Sequence, residues 1–330
     1  AEGSNMRLRG SVAIDLGTVN TLVWVAGRGI VLEEPTAIAI DTAVGKVAAV
    51  GRAADALADK EPQDIEVIHP LRDGVIADLD AATAMLQHFL RRARLRRGLL
   101  RGLAVVCVPS GATWLERRSL AAAASALRPR CAVQLVDEPV AAAAGAGFDL
   151  AAGSGAFIVD IGGGTTEVAV LAGGHLVRAQ SLRLGGNAMD AAIGRAIKTD
   201  LGLLVGRNAA RSLKMTLGLG EDTAGEAVGV DAVLRTPRVE QVPAQLVARA
   251  LEQPIAAIVA AVQELLSDIP PNLAEDVVRG KIRLAGGGAL LPGLASRIEA
   301  AAGIPAFVVD DPLRCVVRGA AEILERGQRS

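Results

Sequence analysis

The stretch Asp160-Ile161-Gly162-Gly163-Gly164-Thr165-Thr166-Glu167 decides the reading of this chain. An apolar run, Ala156 to Val159, precedes it and an alternating one, Val168 to Leu171, follows, which predicts strand, glycine turn, strand. Such a turn presents successive backbone N–H groups to an anion with no side chain in the way, and a carboxylate, Asp160, stands at its entrance. Alone, the motif is more often a plain hairpin. A second copy changes its weight: Asp15-Leu16-Gly17-Thr18-Val19-Asn20-Thr21-Leu22-Val23-Trp24-Val25 aligns with Asp160 to Val170 without a gap, pairing Asp15 with Asp160, Gly17 with Gly162 and Thr21 with Thr166. The chain reads as internally duplicated, two similar halves facing one nucleotide and gripping its phosphates from both sides.

A length of 330 residues suffices for two domains, each with its own core. Aromatics are 2% and Tyr is absent, so those cores must be built from Ala, Val, Leu and Ile. A net charge of −1 argues against nucleic acid as a partner. Cys107, Cys131 and Cys315 lie far apart in sequence and read as reduced, buried thiols rather than a disulfide or metal site. No uncharged apolar run of about 18 residues occurs, so no membrane-spanning segment is expected.

Downstream of the first hairpin, a β-rich insertion is expected from about residue 30 to Ile76. Asp78 reads as the N-cap of a helix with Leu79, Ala82, Leu86, Phe89 and Leu90 on one face. His69 and His88 have no ligand cluster around them and read as packing residues. The helix ends in a basic run, Arg91, Arg92, Arg94, Arg96, Arg97 and Arg101, bracketing Leu99-Leu100. Two readings stay open: a solvated helix end whose cations suit the dipole, or a loop that inserts two leucines into an anionic membrane, each cation contributing about 1 kcal/mol. Strand Leu103–Val108, a capping box Thr113 to Glu116, strand Ala132 to Val136 and a helix from Val140 follow the grammar of an α/β domain. The second half repeats it, with another small insertion, a long helix Ala244 to Leu266 broken or kinked at Pro254, and a glycine loop Gly286-Gly287-Gly288 after strand Lys281 to Ala285.

With these elements in place, a resemblance can be stated. Asp15-Leu16-Gly17-Thr18 resembles the first phosphate motif of the superfamily of actin, sugar kinases and seventy-kilodalton heat-shock proteins, and Asp160 to Thr165 resembles the second. Leu284 to Leu291 is similar to its adenosine motif; Asp137-Glu138-Pro139 and Cys315 to Gly319 resemble its two connecting helices. Pro70 to Asp78, Val106 to Pro109, Gly111 to Thr113 and Asp310 to Leu313 are similar, nearly word for word, to the bacterial actins of the MreB/Mbl family, and the likeness runs from about Val12 to Leu324.

The resemblance implies an α/β, duplicated actin-like (ribonuclease H-like) fold. Domain I would span residues 6–143 plus 310–330 with a small insertion at about 30–76; domain II would span 144–309 with one at about 202–243; the nucleotide would lie between them. It implies ATP or ADP with Mg2+. Gly17, Thr18, Val19 and Asn20 would face one side of the phosphates and Gly162, Gly163, Gly164 and Thr165 the other, with Gly186, Lys214, Gly286, Gly287 and Gly288 toward the adenosine. Asp15 and Asp160 would hold Mg2+ through waters, because that ion gives up its shell reluctantly. Glu138 would position or activate the attacking water, helped by Thr165. Without the resemblance, Glu138 beside Pro139 reads as an ordinary helix start.

The chain departs from the family pattern at Arg211, where relatives carry Glu, at Asn187, where they usually carry Asp, and at Asp137, which replaces Glu. The implied function is an ATP-hydrolysing cytoskeletal protein of the cytoplasm. It would polymerise with itself on the inner face of the membrane, with wall-synthesis or morphogenetic membrane proteins as partners. Arg211 motivates an alternative: a degenerate scaffold that binds nucleotide weakly and acts through partners or copolymerisation. A sugar kinase would need a sugar site with a catalytic carboxylate, and no motif for one is seen.

Overall fold

The two glycine turns fix the order of the strands around them. In the computed structural model, which describes residues 11–58, 60, 62–93, 102–127, 132–220 and 223–327, Val12–Leu16 (β1) and Asn20–Val25 (β2) pair antiparallel across the first turn. Gly29–Pro35 (β3) pairs antiparallel with β2, while Leu103–Val108 (β4) and Ala132–Asp137 (β5) extend the sheet in parallel on the far side of β1. The second half does the same. Gly155–Ile161 (β6), Thr166–Ala172 (β7) and His175–Leu182 (β8) form an antiparallel meander, and Ile282–Ala285 (β9) and Ala306–Val308 (β10) add in parallel beside β6. Both sheets therefore have one order: third, second, first, fourth, fifth. The register repeats too, since Asp15 opposes Leu22 as Asp160 opposes Glu167.

Helices cover these sheets with apolar faces of the expected period. Asp78 caps Leu79–Arg92 (α1), its Oδ1 accepting from Ala81 N at 2.9 Å. Met85, Leu86 and Phe89 of α1 and Leu120 and Ala123 of Trp114–Leu127 (α2) pack on Ile14 and Val106. Leu79 is an exception to the expected face: as the first helical residue it sits outside the core and is exposed. In the second half, Met189, Ile193 and Ile197 of Gly186–Leu201 (α4) pack on Phe157, Val159 and Val168. Glu138–Gly145 (α3) and Cys315–Gly327 (the last helix, α7) lie between the sheets. Their core joins Ala13, Val105 and Cys107 of the first sheet to Ile158, Ala169 and Ala285 of the second.

Several expectations need correction. Gly29–Pro35, placed by the sequence reading inside the first insertion, is the third strand of the main sheet; the remaining insertion pairs Ile38–Asp41 with Lys46–Val50 and Ile65–Ile68, and carries a helix, Arg52–Ala58. The helix Ala244–Ser267 (α6) is not broken at Pro254, which is buried on the same side as Leu251 and Ile255. By length and composition α6 could cross a membrane; here its apolar side, with Leu246, Val247 and Ile258, is buried in the core of the second half. A short helix, Pro271–Gly280, and the 3-10 character of Gly287–Leu290 and Pro312–Arg314 were not anticipated. Cys107 and Cys315 are buried free thiols, and Cys131 and the Leu99-Leu100 segment fall outside the described residues.

Candidate functional site: an interdomain cleft

The ends of β1 and β6 deliver both glycine turns to one cleft of about 310 Å³ between the halves, a size suited to a small-molecule ligand. Asp15, Asp160 and Glu138 line it, together with Gly17, Thr18, Val19 and Asn20 of the first turn, and Gly162, Gly163, Gly164 and Thr165 of the second. Gly186, Lys214, Gly286, Gly287 and Gly288 complete the wall. Every site residue read from the sequence, apart from the Leu99-Leu100 pair, thus meets at one place.

The turns are built alike. Gly17 N donates to Asn20 O at 3.1 Å, and Gly162 N donates to Thr165 O at 2.8 Å. A Cβ on Gly17 would fall 2.8 Å from Asn20 O, so the closing bond itself demands glycine. This corrects one expectation: the Gly17 and Gly162 amides are consumed in closing the turns, whereas those of Thr18, Val19, Gly163 and Gly164 at the tips carry no backbone bond within the described residues. The tips touch, since a Cβ on Gly163 would overlap Val19 and one on Gly164 would fall 2.5 Å from Thr18 Oγ1. The third glycine run serves packing: Gly286, at φ 78°, and Gly288 lie against Ile161, with the Gly286 Cβ position 2.5 Å from Asp160 Oδ1.

Burial and mutual repulsion dominate the electrostatics. Burial pushes Asp15 up to about 7. Burial, then the charges of Asp15 and Glu167, push Asp160 up to about 8. Glu138 is raised well above the usual carboxylate range by burial first, then by Asp15, Glu167, Asp160 and Asp137. The charges that raise Glu138 are those of four neighbouring carboxylates, and such a donor set fits a divalent cation. Among the described residues no group of three or more His, Cys, Asp or Glu stands close enough to ligate a metal directly.

At the other end of the cleft, Met215, Leu290, Leu291 and Leu313 form an apolar wall. Lys214 is buried, with Nζ 2.9 Å from Gly186 O and 2.6 Å from Asp190 Oδ1. Arg211 lines the same cleft, Nε 3.4 Å from Asp190 Oδ2, so two cations share one buried carboxylate. Asn187 Oδ1 is buried beside them without a hydrogen-bond partner among protein atoms.

Two contributors escaped the sequence reading. The tip of the Leu71–Arg72/Val75–Ile76 hairpin, Asp73 and Gly74 at φ 50° and 77°, reaches the cleft, and Gly74 N donates to Thr18 Oγ1 at 2.8 Å. A Cβ on Gly74 would fall 2.9 Å from Thr165 Cγ2. The signal was present, because Asp-Gly between short extended runs marks a tight hairpin. Glu33 also lines the cleft, held by Arg314 at 2.8 Å. Outside the cleft, Arg92 of the basic run is committed to Glu34 at 2.9 Å, and Arg28 Nη1 donates to Ala93 O at the end of α1.

Two sheets of one topology, joined by crossed helices and facing each other through two copies of one glycine turn, define an actin-like fold. The comparisons are specific. The family model described as MreB/Mbl protein matches residues 9–330, and the chain belongs to the MreB/Mbl family. It is 40% identical over 323 residues to the cell shape-determining protein MreB of Escherichia coli (strain K12), covering 95% of this chain and 93% of that one. It is 36% identical over 318 residues to the cell shape-determining protein Mbl of Bacillus subtilis (strain 168), covering 95% of each. Crystal structures of MreB5 of Spiroplasma citri, bound to ADP or to AMPPNP, superpose with a TM-score of 0.90 at 31% identity over 97% of this chain; the ADP complex is covered over 97% of its own length and the AMPPNP complex over 96%. A MamK filament subunit, 24% identical, shares the fold at a TM-score of 0.80, over 96% of this chain and 99% of that one.

Proposed function

We propose that this chain is a bacterial actin that binds ATP with Mg2+ in the cleft, hydrolyses it, and assembles head to tail into filaments that support cell shape or wall synthesis. The observation that carries this reading is the convergence of the two duplicated turns on a set of buried carboxylates that raise one another's proton affinity. The tip amides of Thr18, Val19, Gly163 and Gly164 bind phosphate oxygens from two sides. Asp15 and Asp160 would hold Mg2+ through waters, and the ion would supply charge neutralisation at the transferring phosphoryl group. Glu138, at the start of α3, accepts a hydrogen bond from the attacking water, and Thr165 holds that water from the opposite turn. Lys214 and the wall of Met215, Leu290 and Leu313 receive the nucleoside.

Identical contacts repeated head to tail make a filament where their rotation does not close into a ring. The segment after α1 carries Leu99 and Leu100 among arginines and places the filament on an anionic membrane at its inner face, where wall-synthesis or morphogenetic membrane proteins become partners. Liposome sedimentation tests this: Leu99→Ser with Leu100→Ser should remain in the supernatant.

Phosphate release by the purified protein should depend on Mg2+ and on protein concentration, and Glu138→Ala should abolish release while assembly persists. Unchanged release in Glu138→Ala refutes the role given to Glu138. The scaffold reading keeps one specific support, Arg211 beside Asp190. Calorimetric titration with ATP separates the two, since a folded protein that binds no ATP is a scaffold.

A further inference from the structure

We infer that Ser110 and Arg117 are positioning residues for Glu138: with Glu167 they form a hydrogen-bonded brace that fixes the start of α3 relative to the second phosphate turn. The inference rests on the reading of Glu138 as the residue that orients the attacking water.

Glu138 needs such a brace. No described residue hydrogen-bonds its carboxylate, so its direction is set by the backbone at the start of α3. Asp137, the N-cap of that helix, makes no capping bond. An Asp there ordinarily accepts from the first-turn amides; this one instead meets Arg117 Nη2 at 2.5 Å. The same guanidinium donates to Ser110 O at 3.3 Å and, through Nε, to Ala112 O at 3.3 Å. Arg117 of α2 therefore clips the loop after β4 to the residue that precedes Glu138.

The other side of that loop is tied across the cleft. Glu167, 1% exposed, sits on β7 two residues beyond Thr165, opposite Asp160. It accepts from Ser110 N at 3.1 Å, from Ser110 Oγ, and from Ser181 Oγ at 2.5 Å. Gly111 is pressed onto the second half so closely that a Cβ would fall 2.7 Å from Ser181 Cβ. One continuous set of bonds thus runs from the stem of the second turn, through Glu167, Ser110 and Arg117, to Asp137. A guanidinium suits the middle of it, because its rigid planar fork aims several donors at separate acceptors, here Ser110 O, Ala112 O and Asp137 Oδ1.

The test compares Arg117→Met, Arg117→Lys and Ser110→Ala with the unchanged protein, reading the phosphate-release rate at saturating Mg2+-ATP and ADP affinity by titration. Arg117→Met should lower the saturated rate by about tenfold or more, given that a misplacement on the order of 1 Å costs about a hundredfold. ADP affinity should stay within about twofold. Ser110→Ala should lower the rate less, and Arg117→Lys should recover part of it. Ser110→Ala removes a single hydroxyl and carries the test if Arg117→Met fails to fold. Normal saturated rates in both Arg117→Met and Ser110→Ala, or an equal loss of rate and ADP affinity, overturn the brace. If those rates are normal while Glu138→Ala is inactive, the brace alone fails; if Glu138→Ala is itself active, the reading of Glu138 fails and the brace falls with it.

Discussion

Gly319→Ala should destabilise this protein by about 3 kcal/mol, because the crossing of α3 and α7 leaves no room for a methyl group. A Cβ built on Gly319 falls 1.8 Å from Ala141 O and 2.5 Å from Gly145 N. Carbon and carbonyl oxygen approach no closer than about 3.3 Å even in favourable contacts, so the helices must separate by roughly 1.5 Å. They cannot slide instead, since a Cβ on Gly145 would lie 1.9 Å from Cys315 O at the next turn of the same crossing. Parting them loosens Ala141, Ala142, Cys315 and Ala320, all fully buried between the sheets. Overpacking a rigid core costs about 1–3 kcal/mol, and contact with backbone rather than a flexible side chain puts this site at the upper end. Thermal unfolding should show a midpoint lower by about 4 °C, because an unfolding entropy of about 0.7 kcal/mol/K goes with a chain of 330 residues. Gly194→Ala in α4 is the control: nothing lies within 4 Å of its added Cβ, so gaining about 0.5–1 kcal/mol of helix propensity is the expectation. A Gly319→Ala midpoint within about 1 °C of the unchanged protein refutes the reasoning.

Three further outcomes are expected. Asp15 and Asp160 titrate near 7 and 8 in the fold against about 3.9 unfolded, so the native chain holds more protons between about pH 4 and 8 and metal-free stability should fall as pH rises through that window; urea midpoints that are flat or rising refute this, and Mg2+-nucleotide should flatten the slope. Asp55 in the helix Arg52–Ala58 and Arg207 in the helix Arg207–Leu217 pair at 3.1 Å from opposite halves, and a half-exposed pair contributes at most about 1 kcal/mol; Asp55→Asn should therefore speed release of a fluorescent ADP analogue by about two- to fivefold, and an unchanged rate at low salt counts against a latch. Thr113 and Glu116 form a reciprocal cap on α2, with Thr113 N 2.7 Å from Glu116 Oε2 and Glu116 N 3.3 Å from Thr113 Oγ1, so Thr113→Ala should cost about 1 kcal/mol in urea unfolding, and no change in midpoint refutes the cap.

Much of the candidate site was legible because it is made of local chemistry. Asp15-Leu16-Gly17-Thr18 and Asp160 to Thr165 show an acidic strand end and a glycine turn in consecutive residues, and their gapless alignment carried over to an identical sheet register. Asp78 and Thr113 announced their helices because a cap is a bond between residues three apart. Gly29–Pro35 was misplaced because pairing with β2 or with an insertion strand looks the same from a seven-residue run. The break expected at Pro254 does not occur, because the helix is carried by an apolar side buried against residues from elsewhere in the chain.

By itself the sequence determined the duplication, the two glycine turns and the carboxylates that share their cleft, since each rests on residue type and short spacing. Only the tertiary structure decided which turn amides stay open, how Arg117 and Glu167 join the halves behind Glu138, and that Arg211 shares Asp190 with Lys214. Those relations link residues as many as 57 positions apart, and nothing in local composition encodes such a distance; it is set by where two separately built sheets come to rest around one pair of glycine-crossed helices.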